Sequence, residues 1–212
     1  MLCNLELGRF AVADGVGGLP GGSEAAQCAV ELVGAETPEN DAALIALVQR
    51  TNEAVRELGR KVSPSTGIGS TLTAGWIRDG ALHLGHVGDS RCYVWRAGTL
   101  QCLTEDHSME NEVRRRRARG ENVSFSMAQR NMLTRCLGQP TPPEVDTCTR
   151  PLVAGDRYLF CTDGVSRLVT DTEIREALGR AQAPAAVLDE LIQQALRRGG
   201  TDNATAVAVF VE

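Results

Sequence analysis

The hydrophobic periodicity of the chain changes twice, and these changes constrain the fold more than any other feature. Apolar residues recur at helical spacing near the N-terminus, at strand spacing in the middle, and at helical spacing again near the C-terminus. The predicted helices are 23–33, 44–58, 171–180 and 185–197, and the predicted strands are 9–13, 70–77, 81–87, 91–96, 99–103, 145–150, 157–162 and 205–211. Helix pairs on both sides of a run of antiparallel strands indicate an α+β layered sandwich rather than a parallel sheet.

Local signals set the ends of several of these elements. Ser23 is predicted to cap the first helix, and the second helix is predicted to end near Gly59. Asp79-Gly80 is a strong hairpin signal, and Gly98 separates the next two strands. The four strands between 70 and 103 are therefore expected to form one continuous antiparallel meander.

Composition excludes several classes of protein. The chain has 212 residues, a net charge of −5 and 4% aromatic residues, so it has neither the basic surface nor the stacking platform that nucleic acids or anionic membranes require. Its seven cysteines include no C-x-x-C pair, which indicates a reducing compartment, and its first residues do not resemble a signal peptide. We expect a single cytoplasmic domain over 1–212, without membrane or nucleic-acid partners.

Four aspartates lie beside small residues at the ends of predicted strands, namely Asp14, Asp89, Asp163 and Asp202. One such aspartate is most simply a turn residue. Four of them can form a site, because clustered carboxylates repel one another and need a cation. Carboxylates, a backbone carbonyl and water are the ligand set of Mg²⁺ or Mn²⁺. Spacing alone leaves open whether the four converge.

The order of the surrounding motifs is more specific than any one of them. The motifs are Phe10 to Gly18, Gly69 to Leu72, His86 to Arg91, Leu103 to Ser108, Asn131 to Gly138, Asp156 to Gly164 and Asp202 to Thr205. Together they resemble the motif set of the metal-dependent serine/threonine phosphatases of type 2C, the PPM family, in its bacterial form. The resemblance covers about residue 8 to the end of the chain.

This resemblance implies a four-layer α-β-β-α sandwich around central antiparallel sheets, with two Mg²⁺ or Mn²⁺ ions at one edge. Asp14 would bridge both ions and the carbonyl of Gly15 would bind one of them, while Asp163 and Asp202 would bind the other. Asp89 matches the position that helps to hold a possible third ion. Asn203 would support these ligands indirectly or occupy a turn, and residues at about 106–138 would form a mobile flap.

The implied activity is hydrolysis of phosphoserine and phosphothreonine in proteins by a metal-activated hydroxide. No protein nucleophile is required, because two bridged ions acidify a shared water and neutralise the phosphoryl oxygens. The expected partners are phosphoproteins made by a serine/threonine kinase. The alternative is a catalytically impaired module that uses the same fold for binding or regulation.

One departure from the family pattern motivates that alternative. Family members usually carry an Arg-x-x-Asn-Glu-Asp stretch before the first Asp-Gly, which supplies an arginine for phosphate and outer carboxylates. The 13 residues before Asp14 do not reproduce it. Either the chain is a truncated form of a full enzyme or it is a natural short variant, and we expect an exposed sheet edge at this end.

Other residues suggest competing chemistry. Cys161 and Arg167 match the C-x₅-R pattern of thiol phosphatases, although Cys161 is more simply a core residue. His83 and His86 are expected to share a strand face, either as a metal pair or as structural residues. The arginines at 114–117 form either a solvated helix face or a docking surface for phosphopeptides.

Overall fold

The computed structural model describes residues 1–16 and 21–212. Gly17 and Gly18 of the first motif lie outside the described residues. The strands are β1 (Leu2–Asn4), β2 (Arg9–Val12), β3 (Leu72–Arg78), β4 (Ala81–Val87), β5 (Arg91–Arg96), β6 (Thr99–Cys102), β7 (Asp146–Pro151), β8 (Arg157–Cys161) and β9 (Ala206–Phe210). The helices are α1 (Gly22–Ala35), α2 (Asp41–Val62), α3 (Met109–Ala118), α4 (Asp163–Ser166), α5 (Asp171–Arg180) and α6 (Pro184–Arg197).

The strands form two antiparallel sheets packed face to face. Their strand orders are β1-β2-β3-β4-β7 and β6-β5-β8-β9. The fully buried side chains between the sheets all come from strands, and the rings of Phe10 and Phe160 stack there at 6.2 Å. Helices α1 and α2 cover the outer face of the first sheet, and α5 and α6 cover that of the second. The layers are therefore α-β-β-α, which confirms the predicted sandwich.

Helix α2 is longer at both ends than its apolar stripe predicts. Asn40 caps it, because Asn40 Oδ1 accepts a hydrogen bond from the backbone N of Ala43 at 2.9 Å. The helix continues through Gly59 to Val62, so the prediction that it ends near Gly59 is wrong. A Cβ at Gly59 would lie 3.0 Å from the backbone N of Ile68. This glycine therefore permits close packing and does not stop the helix.

The predicted cap of the first helix is also wrong. Helix α1 begins at Gly22, one residue before Ser23, and no side chain caps it. Its N-cap is Gly21, which has a φ of 88° and is therefore in the left-handed region that favours glycine. Ser23 lies inside the first turn, where its hydroxyl is past the capping position.

The two predicted hairpins are confirmed, and the continuous meander is wrong. Asp79 and Gly80 have φ values of 51° and 71°, and Ala97 and Gly98 have 49° and 87°, as tight hairpin turns require. Between these hairpins the chain leaves one sheet for the other, because β4 pairs with β3 and β7 whereas β5 pairs with β6 and β8. Gly88 lies at the crossing with a φ of 114°.

The N-terminal residues form a strand that the sequence pattern does not predict. Leu2–Asn4 pairs with β2 and makes β1 the edge of its sheet. Among the helices of the described chain, none is both long and apolar enough to span a membrane.

The segment predicted as a flap contains α3 and a short 3-10 turn at Met127–Gln129. Its far end is tied to the rest of the molecule. Asn52 of α2 is fully buried, and its Oδ1 accepts hydrogen bonds from the backbone N atoms of Gly138 and Gln139 at 2.8 and 3.0 Å. The Asn52 amide in turn donates to the carbonyl of Gln139 at 3.0 Å. One side chain therefore fixes both sides of this turn.

Candidate metal centre

Four strand ends meet at one edge of the sandwich. Asp14 follows β2, Asp163 follows β8, Asp202 precedes β9, and Asp89 lies where the chain crosses between the sheets. Since β8 and β9 are antiparallel neighbours, the end of one lies beside the start of the other. The structure thus brings all four predicted aspartates to one cavity of about 300 Å³, which Gly15 also lines.

Hydroxyl groups fix the backbone at Asp14. The backbone N of Asp14 donates to Thr71 Oγ1 at 3.0 Å, and the backbone N of Thr71 donates to the Asp14 carbonyl at 2.8 Å. Ser70 Oγ donates to the same carbonyl at 3.0 Å. Thr71 Oγ1 also contacts Ser90 Oγ at 2.8 Å, which connects the Asp14 loop to the residue after Asp89. These contacts hold two acidic loops at a constant separation.

Glycines let the loops of the cavity approach each other. A Cβ at Gly15 would lie 2.3 Å from the backbone of Gly22, and a Cβ at Gly164 would lie 2.4 Å from the carbonyl oxygen of Asn203. No side chain fits at either position. The Asn203 carbonyl also accepts a hydrogen bond from Thr162 Oγ1 at 3.1 Å, so its backbone joins the loops that carry Asp163 and Asp202. A supporting role for the Asn203 side chain stays a prediction.

The carboxylates at the cavity are crowded, and Arg167 is the one cationic side chain among the described residues that line it. Burial and then the neighbouring Asp163, Asp202 and Asp89, in that order, together raise the pKa of Asp14 to about 8. Burial and the charge of Asp163 also raise the pKa of Asp89, to about 6, against the opposing effect of Arg167. Asp163 Oδ1 is buried and has no hydrogen-bond partner among the described residues. A bound cation would relieve both the repulsion and the unmet hydrogen-bonding need.

The donor chemistry fits a hard divalent ion, because carboxylate and carbonyl oxygens are the ligands that Mg²⁺ and Mn²⁺ prefer. The side chains are nevertheless not arranged around one. Within 1–16 and 21–212, no three His, Cys, Asp or Glu side chains stand close enough to enclose an ion. Binding an ion therefore requires these side chains to rearrange around it.

The candidates for competing chemistry lie elsewhere. Cys161 is fully buried in the core, and burial raises the pKa of its thiol to about 12, which excludes a thiolate nucleophile at neutral pH. His83 and His86 do not share a face, since residues three apart on a strand point to opposite sides. His86 is buried beside Thr73, whereas His83 contacts Thr149 of β7.

Two further residues of the cavity were not predicted as functional. Thr71 lay within a recognised motif but was assigned no role, and Arg167 was considered only as part of the thiol pattern. Arg167 forms a salt bridge with Asp163 Oδ2 at 2.8 Å and donates a hydrogen bond to Asp89 Oδ2 at 2.6 Å. The i, i+4 spacing of Asp163 and Arg167 is a signal for the first contact. Nothing in the sequence indicates the second, which joins residues 78 positions apart.

Comparisons with known proteins agree with this geometry. The family model for Protein phosphatase 2C matches residues 4–206. The serine/threonine phosphatase stp of Listeria welshimeri is 32% identical over 207 residues, which cover 93% of this chain and 82% of that protein.

Solved structures give the same result. The structure of the S. agalactiae serine/threonine phosphatase has a TM-score of 0.85 and 31% identity, covering 96% of this chain and 87% of that one. The catalytic domain of the serine/threonine protein phosphatase PstP, in complex with two manganese ions, has a TM-score of 0.79 and 34% identity, covering 96% of this chain and 88% of that one. The similarity therefore extends over both sheets and both helical layers.

Proposed function

The chain belongs to the protein phosphatase 2C family, and we propose that it hydrolyses phosphoserine and phosphothreonine in protein substrates with two divalent metal ions at this cavity. The proposed ligands are the carboxylates of Asp14, Asp163 and Asp202 and the carbonyl of Gly15. The observation that carries the proposal is that four distant strand ends place aspartates around one cavity, where one buried carboxylate oxygen has no partner among the described residues.

The ions are proposed to be Mg²⁺ or Mn²⁺. The related PstP catalytic domain holds two manganese ions, and oxygen donors suit either metal. When bound, such a pair would acidify a shared water and neutralise phosphoryl oxygens. The resemblance also places a possible third ion at Asp89, although this carboxylate already has Arg167 as a partner.

The chain's own residues position the proposed ligands and form the wall of the cavity. Thr71 holds Asp14 at a defined place in the cavity wall through two reciprocal hydrogen bonds. Asn131, Met132 and Leu133 from the predicted flap line the same cavity. Because no described thiol or hydroxyl in this wall has a base positioned to activate it, direct attack by water is the mechanism that the cavity supports.

Residues 1–13 contribute no arginine to the phosphate. Arg9 donates to the carbonyl of Gly34 at 2.6 Å and to Thr37 Oγ1 at 2.9 Å, and it does not line the cavity. In the described chain the charge of the phosphate is therefore met by the proposed metal ions, and Arg167 is the one cationic side chain in the cavity wall. The proposed substrates are products of a serine/threonine kinase.

The decisive experiment measures hydrolysis of p-nitrophenyl phosphate and of a phosphothreonine peptide with Mn²⁺, with and without EDTA. Asp163→Asn should lower turnover by about 100-fold or more, because it removes a metal ligand. Asp79→Asn is the matched control: it removes the same charge from an exposed hairpin turn and should leave turnover unchanged.

Activity that survives both EDTA and Asp163→Asn would contradict the proposed mechanism. The relatives are phosphatases and support an active enzyme rather than the alternative of an impaired binding module. Calorimetry tests that alternative directly, since metal or phosphopeptide binding without turnover would favour the module.

A further inference from the structure

One arginine lies between two of the carboxylates that the resemblance assigns to different metal ions. One nitrogen of the Arg167 guanidinium donates to Asp89 Oδ2 at 2.6 Å, and another forms a salt bridge with Asp163 Oδ2 at 2.8 Å. The Asp89 side chain is only 8% exposed, so this contact is shielded from competing water. Among the described residues that line the cavity, Arg167 is the only cation.

Local structure places the guanidinium at this point. Arg167 ends the short helix α4, and its backbone N donates to the Asp163 carbonyl at 2.9 Å. The side chain therefore starts one helical turn after Asp163 and lies on the same face. An arginine remains charged at every pH at which the protein is folded. Its charge is thus a permanent part of the cavity.

The neighbouring arginine does not substitute for it. Arg91 lies two residues from Asp89 but donates with two nitrogens to Asp106, at 2.8 Å each. Asp106 itself adds negative charge near Asp89 and does not relieve it. Arg167 is therefore the direct counter-charge of Asp89.

The two carboxylate oxygens of Asp163 have different surroundings. Its Oδ2 forms a salt bridge with Arg167, whereas its buried Oδ1 has no partner in the described chain and remains available to an ion. At Asp89 the same guanidinium donates a hydrogen bond to Oδ2 at 2.6 Å. A divalent ion at Asp89 would have to displace this group or lie beside it, against the repulsion between like charges.

We propose that the Arg167 guanidinium takes the place of a third divalent ion at Asp89, so that this phosphatase works with two metal ions. The inference rests on the proposed function, since it specifies how many ions that cavity holds. Arg167 is on this view a positioning residue, which fixes Asp89 and one oxygen of Asp163 without the aid of a third ion.

The test is the number of Mn²⁺ ions bound per chain, measured by calorimetry and by metal analysis after equilibrium dialysis against millimolar Mn²⁺. The wild-type chain should bind about two ions. Arg167→Asp should bind about three, because it removes the cation and adds an oxygen ligand next to Asp89. Arg91→Gln, which removes a nearby arginine that does not line the cavity, should still bind about two.

Two further variants make the result independent of a single substitution. Asp89→Asn should leave the wild-type count at about two and return the Arg167→Asp count from three to two. Arg167→Gln separates loss of the cation from gain of a ligand. Thermal unfolding confirms that each variant is folded before its ions are counted.

Three ions in the wild-type chain, or two in folded Arg167→Asp, would overturn the inference while leaving the proposed function intact. No bound ions together with no turnover would overturn both. Turnover that saturates with Mn²⁺ in one phase for the wild type and in two phases for Arg167→Asp would support the inference by an independent measurement.

Discussion

Burial determines the protonation state of His86. Its Nδ1 contacts Thr73 Oγ1 at 2.9 Å, its Nε2 contacts the Glu105 carbonyl at 3.1 Å, and its ring lies 4.8 Å from that of His107. Burial and, to a smaller extent, the nearby His107 together lower the pKa of His86 to about 4. A neutral ring satisfies both contacts, with Nε2 donating to the carbonyl and Nδ1 accepting from the hydroxyl. His86 is thus a structural residue whose neutral form stabilises the native state.

This shift predicts a loss of stability in mild acid. As the pH falls below 6.5, the ordinary pKa of a histidine, the unfolded chain takes up a proton at His86, and the native state does not until the pH falls to about 4. Between pH 7 and pH 5 the free energy of unfolding should fall by about 2 kcal/mol through this residue. Urea unfolding at both pH values, in EDTA, measures the effect.

The control for this prediction is His86→Gln, which does not titrate. The variant should be less stable than the wild type at pH 7 and should lose less stability on acidification, since His107 and the aspartates titrate in both proteins. Equal losses in the two proteins would show that His86 does not contribute.

Among the structural elements, the turn after the predicted flap depends on a side chain from a distant helix. Asn52 of α2 is the hydrogen-bond partner of both Gly138 and Gln139. Gly138 has a φ of 91°, and a Cβ there would lie 2.2 Å from the Ile68 carbonyl oxygen. A residue other than glycine at this position would therefore disturb the contacts with Asn52. The turn anchors the end of the segment that carries Asn131 to Leu133 into the cavity.

Asn52→Ala should destabilise the protein by about 1 to 2 kcal/mol, because it leaves partly buried backbone groups of the turn without their protein partner. Hydrogen exchange should increase most in residues 133–139. Turnover should fall because the segment that lines the cavity is held less firmly. Asn52→Asp keeps the acceptor but buries a charged carboxylate beside the Gln139 carbonyl, so it should destabilise the protein at least as much at neutral pH. Uniform exchange throughout the chain would show instead that Asn52 supports global stability alone.

The elements also show where sequence reasoning succeeds. The Asp79-Gly80 hairpin was predictable because the turn needs two residues that accept a positive φ, which is a local requirement. The placement of β4 and β5 in different sheets was not, since it depends on pairing with β7 and β8 some 60 residues away. The end of α2 was missed for the same reason: Gly59 packs against Ile68 rather than stopping the helix.

In the candidate site too, local signals were recognisable in the sequence and long-range contacts were not. Asp14 and Asp163 were recognisable from the short motifs around them, and the structure places them in one cavity. The contact between Arg167 and Asp89 could not be predicted, because it exists only once two strands from different sheets end at the same edge. Motifs thus identify candidate ligands, whereas folding decides what else surrounds them.

At the scale of the whole molecule, the cavity concentrates negative charge that the rest of the structure must hold together. The net charge of the chain is −5, and four of its carboxylates lie around one opening with a single described arginine. Hydroxyl contacts between the Asp14 and Asp89 loops, and the packing of Gly164 on Asn203, keep these carboxylates close despite their repulsion. Repulsion between these carboxylates therefore destabilises the native fold at this edge, and a bound cation would relieve it.

Metal ions should consequently stabilise the whole fold. An ion that binds only the native state contributes about 2.7 kcal/mol at a hundred times its dissociation constant, which corresponds to a rise in Tm of roughly 5 to 10 °C for a chain of this size. Thermal unfolding in EDTA and in Mn²⁺, at matched ionic strength, measures this rise. In EDTA, Asp163→Asn should melt at or above the Tm of the wild type, because one repelling charge is gone. In Mn²⁺ it should melt below the wild type. An equal rise in both proteins would place the stabilising ion away from Asp163.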